Sequence, residues 1–253
     1  MGLSCFIITR NEARKLYAVI TSVRDLVDEV IVIDSGSTDD TVAIAEAAGA
    51  RVILNAWPGY GQQKRFGEQA CRHDWVLNLD GDEVLSEALR DEIKTLFAKG
   101  PPPLPCYWLR IMAHAPYGPN RPWRLNYIDR IRLYDKRVVR FPDHPTWDAI
   151  AAPAGVPVER LKAPVLHYWM ADFAHQMDKM NRYTTALAES VPKKSMFILT
   201  LRLFFAFPFD FLRAYILRGH FAGGRYGFAV AMLYAFTRLM RTVKMMERQW
   251  PRN

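Results

Sequence analysis

Asp80-Gly81-Asp82 places two carboxylates two residues apart, directly after the apolar run 75–79. Hard oxygen donors of this kind suit Mg2+ or Mn2+, and such an ion can bridge a diphosphate and offset the charge that builds as it departs. Asp-Gly is also an ordinary turn signal. The position after a buried strand, more than the triplet itself, therefore points to a site. A second segment, Asp34-Ser35-Gly36-Ser37-Thr38-Asp39, follows the β-branched run 29–33. Ser37, Thr38 or Asp39 can cap the helix that begins at Thr41. Asp34 or Asp39 can also hydrogen-bond a nucleotide base or ribose, because caps and ligand contacts share one rim.

The elements that must position these carboxylates alternate. Strands are expected at Leu3–Thr9, 29–33, Arg51–Leu54 and 75–79. Helices are expected at 12–27, 41–48, 62–71 and 87–98, the second closed by Gly49 and the last by Gly100 and a proline-rich stretch. This alternation predicts a mainly parallel sheet flanked by helices. In such sheets ligands bind beyond the carboxyl ends of the strands, where Asp34 and Asp80 both fall. Residues 106–169 are rich in aromatics, Arg and Pro, with short strand-like runs at 107–112, 131–134 and 138–141. Residues 171–189 read as a helix.

The chain has 253 residues, half of them apolar, and a net charge of +8. That is ample for one sizeable core with an appendage. Cys5, Cys71 and Cys106 form no CxxC pair, which fits a reducing compartment and neither a disulfide framework nor a zinc site. Met1 to Thr9 is too short for a signal peptide, and charged residues follow at once. The charge is concentrated: residues 191–253 carry eleven Lys or Arg against Asp210 and Glu247, which leaves −1 for residues 1–190.

Three segments together resemble the opening of the inverting family-2 glycosyltransferases of GT-A fold. They are Ile8-Thr9-Arg10-Asn11-Glu12, Asp34-Ser35-Gly36-Ser37-Thr38-Asp39 and Leu79-Asp80-Gly81-Asp82-Glu83. Trp57-Pro58-Gly59-Tyr60-Gly61 and Arg132-Leu133-Tyr134 extend the resemblance to the subgroup of lipopolysaccharide inner-core glucosyltransferases. So do Lys179-x-Asn181-Arg182-Tyr183 and the region 219–244. The resemblance implies a GT-A (Rossmann-like) catalytic domain over residues 1–190. Its nucleotide-sugar-binding half is expected at 1–100 and its acceptor-side half at 101–190, with a basic amphipathic tail at 191–253.

The resemblance also implies the site residues. Donor contacts are expected from Thr9, Asn11, Glu12, Asp34, Ser35, Asp39, Lys64 and Asp80. A divalent cation, Mg2+ or Mn2+, is expected on Asp82, Asp80 and His167. A general base is needed because a sugar hydroxyl is a poor nucleophile at neutral pH. Lined up from Phe141, the subgroup's Val-His-Glu falls on Thr146-Trp147-Asp148, which nominates Asp148. Trp here replaces His and Asp replaces Glu; Asp143 and His144 are rivals. Lys64 or Arg65 can add cationic stabilisation of the diphosphate, the other lying on an exposed helix face. His167 is otherwise a packed strand residue, and Arg182 and Tyr183 can face the acceptor. The donor suggested is UDP-glucose, and the acceptor a lipid-linked glycan such as lipopolysaccharide core.

Residues 195–217 and 226–237 are strongly apolar but interrupted by charge or too short to span a bilayer. They are expected as amphipathic helices on an anionic membrane surface, separated by the glycine-rich stretch 219–227. A buried helical hairpin or a dimer interface is the alternative. The enzyme is then peripheral (monotopic), at the cytoplasmic face. No nucleic-acid partner is expected, since no recognition motif accompanies the charge. Two other readings exist: a haloacid-dehalogenase-type phosphatase with Asp80 as nucleophile, and a non-catalytic nucleotide-sugar-binding scaffold.

Overall fold

The computed structural model describes residues 2–114, 127–170 and 172–251. The chain forms two compact units. The first consists of Met1–Ala113 with Ile128–Tyr168, and the second contains the C-terminal helices.

The first unit is built on one eight-stranded mixed sheet. Its strands are β1 (Leu3–Thr9), β2 (Glu29–Asp34), β3 (Arg51–Leu54), β4 (Trp75–Asp80), β5 (Glu83–Leu85), β6 (Cys106–Ala113), β7 (Tyr127–Asp135) and β8 (Glu159–His167), in the spatial order β3-β2-β1-β4-β7-β6-β8-β5. The expected parallel half is β3-β2-β1-β4. β4 then pairs antiparallel with β7, and β5 antiparallel with β8. β1 is buried along its whole length, as expected for a central strand covered on both faces. The helices of this unit are α1 (Leu16–Val23), α2 (Thr41–Ala47), α3 (Tyr60–Ala70) and α4 (Glu87–Phe97), and α3 packs against β1. One cluster, with Leu16, Ile20, Leu77 and Leu89, fills one layer; another, with Phe6, Ile31, Tyr134 and Phe141, fills a second.

Several expected boundaries shift for identifiable reasons. α1 begins at Leu16, because Asn11 adopts φ 56° and a turn at Glu12–Lys15 precedes the helix. Asn is among the few non-glycine residues that adopt this conformation readily. The helix at Thr41 is preceded by Asp40, whose side chain makes no cap bond; Asp39 accepts from the Thr41 amide instead. Residues 138–141 form no strand. Val138 and Val139 turn back onto the Asp135 carbonyl, and the Phe141 amide donates to the Glu68 carboxylate. All three cysteines are buried and free, and burial pushes the Cys71 thiol up to about 12.

The second unit packs α5 (Phe173–Ser190), α6 (Met196–Leu212) and α7 (Gly224–Glu247) together. Helix α5 therefore packs with the tail helices. α6 runs into a π-helical turn at Arg213–Leu217, and a 3-10 turn at His220–Gly223 leads into α7. α7 extends well beyond the expected 226–237. Among the described residues, no helix is long and apolar enough to cross a membrane.

Candidate active site

Parallel register brings the first two carboxylate segments to one rim. Thr9 stands beside Asp34 in the β1–β2 ladder, and Ile8 beside Asp80 in the β1–β4 ladder. The loops beyond β1 and β2 are tied together. Ser37 Oγ accepts from the Asn11 amide at 2.8 Å, Asn11 Oδ1 from the Thr38 amide at 2.8 Å, and Thr41 Oγ1 from the Glu12 amide at 2.8 Å. Asp34 is fully buried, and its Oδ1 accepts from the amides of Gly36 and Ser37 at 2.9 and 2.8 Å. Asn11, Asp34 and Asp39 therefore shape the loops that present the rim. Ser35 Oγ accepts from Gln63 of α3 at 3.0 Å.

Gly81 lets the third segment close on the first. A Cβ there would stand 2.9 Å from Thr9 Oγ1 and 3.1 Å from Glu12 Cγ. The Gly81 amide donates to the Ile8 carbonyl at 3.0 Å.

Asp80 lies between two cations. Arg132 of β7 donates to its Oδ2 at 2.9 Å, and Lys64 Nζ of α3 lies 3.0 Å from its Oδ1. Burial alone would raise the Asp80 pKa; Arg132 and Lys64 outweigh it and hold the carboxyl well below its usual range. Burial also opposes charge on Arg132, but Asp80 and Glu83 keep it more firmly protonated. Arg132 reaches Glu83 at 3.0 Å and also bonds Asn78. Glu83 shifts the opposite way: burial, reinforced by the Asp80 charge, raises its pKa beyond what Arg132 recovers.

Lys64 joins this cluster to the loop that follows Phe141. Its side chain is 1% exposed, and its Nζ lies 2.7 Å from Asp148 Oδ2. The expectation of an exposed face for one of Lys64 and Arg65 fails for both. Arg65 is partly buried and donates to the Phe141 carbonyl at 2.7 Å. Asp148 thus enters the cluster from a loop far along the chain. His144 does not act alike: its Nδ1 accepts from the amides of Thr146 and Trp147 at 3.2 and 3.0 Å, shaping the turn before Asp148. Asp143 is exposed.

The Trp57–Gly61 segment is what seats this loop. The amides of Tyr60 and Gly61, at the start of α3, donate to the carbonyls of Pro145 and His144 at 2.9 and 3.1 Å. These are first-turn donors that lack a partner within the helix. A Cβ on Gly61 would stand 2.4 Å from the Trp147 carbonyl and 2.6 Å from that of Pro142. Only glycine permits the approach.

His167 ends β8, and the β5–β8 register sets it beside Glu83. Its Nε2 lies 3.3 Å from Asp82 Oδ2. Burial would lower its pKa, but the Asp82 bond and charge raise it overall. The donor set suits a divalent cation. One carboxylate oxygen and one imidazole nitrogen, 3.3 Å apart, are close to the roughly 3 Å that separates adjacent ligands of an octahedral ion bound at about 2.1 Å. Among the described residues, no group of three acidic, His or Cys side chains gathers as a complete cage. Mg2+ usually takes one or two carboxylates with water and phosphate oxygens; Asp82 is such a carboxylate, and His167 adds a nitrogen donor. Asp80 is taken up by Arg132 and Lys64.

Arg132, Glu83, Gln63 and Glu68 also hold the site together, and the sequence carries signals for them. A charged residue inside an apolar strand (Arg132) and acidic or amide residues on a helix otherwise facing the sheet (Gln63, Glu68) are those signals. Glu68 is fully buried and accepts from Tyr134, Arg140 and the Phe141 amide.

The mixed sheet flanked by helices, with carboxylates at its rim, has the GT-A arrangement. The family model for Glycosyl transferase family 2 matches residues 4–156. An uncharacterized glycosyltransferase of Rickettsia felis is 35% identical, over 97% of this chain and 89% of its own length. The chain belongs to glycosyl transferase family 2, and the phosphatase reading falls with that result. The lipopolysaccharide core biosynthesis glycosyltransferase LpsC of Rhizobium meliloti is 29% identical, over 98% of this chain and 93% of its own. A crystal structure of glucosyl-3-phosphoglycerate synthase from Mycobacterium tuberculosis, with Mn2+, UDP and glucosyl-3-phosphoglycerate, is similar at 28% identity and a TM-score of 0.37. That similarity covers 45% of this chain and 44% of that one, so less than half of either chain is matched.

Proposed function

We propose that this glycosyltransferase moves a sugar, with inversion, from a UDP-sugar donor, UDP-glucose being the first candidate. The acceptor is a hydroxyl of a lipid-linked glycan such as lipopolysaccharide core. The carrying observation is the Asp80–Lys64–Asp148 chain of contacts, which puts a partly exposed carboxylate next to the carboxylate rim of the sheet. In the reaction Asp148 takes the acceptor hydroxyl proton. The acceptor oxygen forms its bond to the anomeric carbon as the bond from that carbon to the diphosphate oxygen breaks, and the nucleoside diphosphate leaves with the electron pair. Attack opposite the leaving group inverts the centre.

Asp82 and His167 would hold a divalent cation, which when bound neutralises the departing diphosphate. Lys64 has an ammonium within reach of both the rim and the base. A diphosphate arriving at the rim competes with Asp148 for it, and that competition frees the base for its proton. Arg132 fixes Asp80 and Glu83 and leaves the rim rigid. Thr9, Asn11, Glu12, Asp34, Ser35 and Asp39 supply the loop that receives the nucleoside. The similarity to a lipopolysaccharide core transferase supports the acceptor class. The basic tail, with its exposed apolar residues on α6, supports peripheral placement on an anionic membrane surface, taken here as the cytoplasmic face.

A thermal-shift panel of UDP, GDP, CMP and TDP, with and without Mn2+, tests the donor site. A ligand that binds only the folded state raises its melting temperature by mass action. A metal-dependent rise with UDP is expected. Metal-independent or absent responses to all four would sink the donor assignment.

A further inference from the structure

The second unit carries a groove that the transfer chemistry does not use. Leu199 of α6 packs with Met245 and Met246 of α7, while Asp210 lies 3.6 Å from Arg238. The start of α6 therefore meets the end of α7, and the two helices run in opposite directions. Between them lies a groove of about 540 Å3, floored in part by Ile198, Leu201, Phe205 and Phe209. That volume is in the range of small-molecule sites, roughly 300–1,000 Å3. The floor is open: Phe205 and Phe209 are 67% and 65% exposed. Apolar side chains exposed together in this way mark a contact surface.

Charge lines the same groove. Arg202, Arg213, Arg238 and Arg241 face it with one carboxylate, Asp210. Asp210 is buried and is matched by Arg238. Among the described residues, no carboxylate lies within ion-pair reach of Arg202, Arg213 or Arg241, and the Arg241 Nε is buried without a hydrogen-bond partner. Guanidinium groups hold phosphate through paired N–H donors. Pro208 inside α6 removes one backbone donor, and the π-helical turn that carries Arg213 follows directly. The helix is thus irregular where the groove is charged. A ligand matched to this surface must be anionic at one end and apolar at the other.

We propose that the groove between α6 and α7 binds one phosphate-headed lipid, with its headgroup on Arg202 and Arg241 and its chain against Phe205 and Phe209. The proposal rests on the membrane placement above and adds a discrete site to it. Diffuse attraction of a basic tail would treat all of its charges alike; the groove singles out those that line it.

The test uses the full chain and dihexanoyl phosphatidic acid below its micellar concentration, with binding followed by calorimetry. Dihexanoyl phosphatidylcholine and inorganic phosphate serve as comparisons. Three variants are compared with wild type: Arg202→Gln with Arg241→Gln, the charge-matched Lys193→Gln with Arg225→Gln outside the groove, and Phe205→Ser at an exposed ring that does not threaten folding. Saturable binding of one lipid per chain is expected, weakened at least about tenfold (about 1.4 kcal/mol) by the groove double variant and by Phe205→Ser, and unchanged by the control. Inorganic phosphate binding as tightly, or equal loss in groove and control variants, would overturn the site. Sedimentation with phosphatidylcholine vesicles containing phosphatidylglycerol separates the two claims. Vesicle binding without binding of the short-chain lipid overturns the groove and keeps the membrane placement. No vesicle binding at all overturns both.

Discussion

Replacing Lys64 by Met keeps most of the side-chain volume and removes one ammonium from a site that is 1% exposed. Two carboxylates then lose their shared cation. Breaking a buried ion pair by deleting one partner costs about 3–5 kcal/mol. The cost here is smaller. Asp80 retains Arg132 at 2.9 Å, and the Asp148 side chain is 38% exposed, so its share is worth no more than about 1 kcal/mol. A net destabilisation of about 2 kcal/mol follows, a fall in melting temperature of roughly 4–8 °C for a chain of this size. Transfer should fall further than stability explains, at least about 100-fold, because the same ammonium meets the charge that develops on the diphosphate. Initial rates are measured well below the melting temperature, beside thermal denaturation of the same preparation. Lys64→Arg restores charge in a site packed for Lys and should recover stability less than fully. A Lys64→Met protein that melts within about a degree of wild type and transfers at the wild-type rate would refute the reasoning about this bridge.

Gly61→Ala should cost about 1–3 kcal/mol and lower transfer, since the added methyl meets the carbonyls of Trp147, Pro142 and His144 and must push the Asp148 loop away; circular dichroism melts and initial rates check it. Asp82→Ala should abolish the Mn2+ dependence of UDP binding, and unchanged turnover in excess EDTA would count against the metal role. Metal affinity should fall with acid. The imidazole ligates only when neutral, Asp82 raises the His167 pKa above its ordinary 6.5, and protonation therefore begins to compete above that pH. Titrating Mn2+ binding from pH 8 to about 6 should show this loss in wild type and a flatter profile in His167→Gln.

The rim of the sheet was legible because its signals are local. Asp34 and Asp80 each follow a run of buried apolar residues, and strand periodicity alone predicts that both end on one side. The other half of the site depends on contacts that no local pattern records. Gln62-Gln63-Lys64-Arg65 reads as a polar helix face, yet Gln63 and Lys64 are buried because α3 is covered by the loop that Gly59 and Gly61 admit. Arg132 reaches Asp80 only through the antiparallel β4–β7 pairing, and His167 reaches Asp82 only through β5, a strand of three residues too short to detect. The run 138–141 has the composition of a strand, but its Phe141 amide is taken by a buried glutamate instead of a neighbouring strand. The extent of α7 was missed for a different reason. Its last turns, with Arg238, Arg241 and Lys244, are charged enough to read as flanking sequence, although Met245 and Met246 are buried.

The most direct test of the central claim is a paired measurement on Asp148→Asn: UDP-sugar binding by calorimetry in Mn2+, and sugar transfer to a lipid-linked glycan by the same protein. The substitution preserves shape and removes the proton acceptor together with the negative charge that faces Lys64. If Asp148 is the base, binding is retained or tightened, because Lys64 is then free for the diphosphate, while transfer falls at least about 100-fold. Transfer near the wild-type rate with binding intact would contradict the assignment and move the base elsewhere on the loop, to Asp143 or His144.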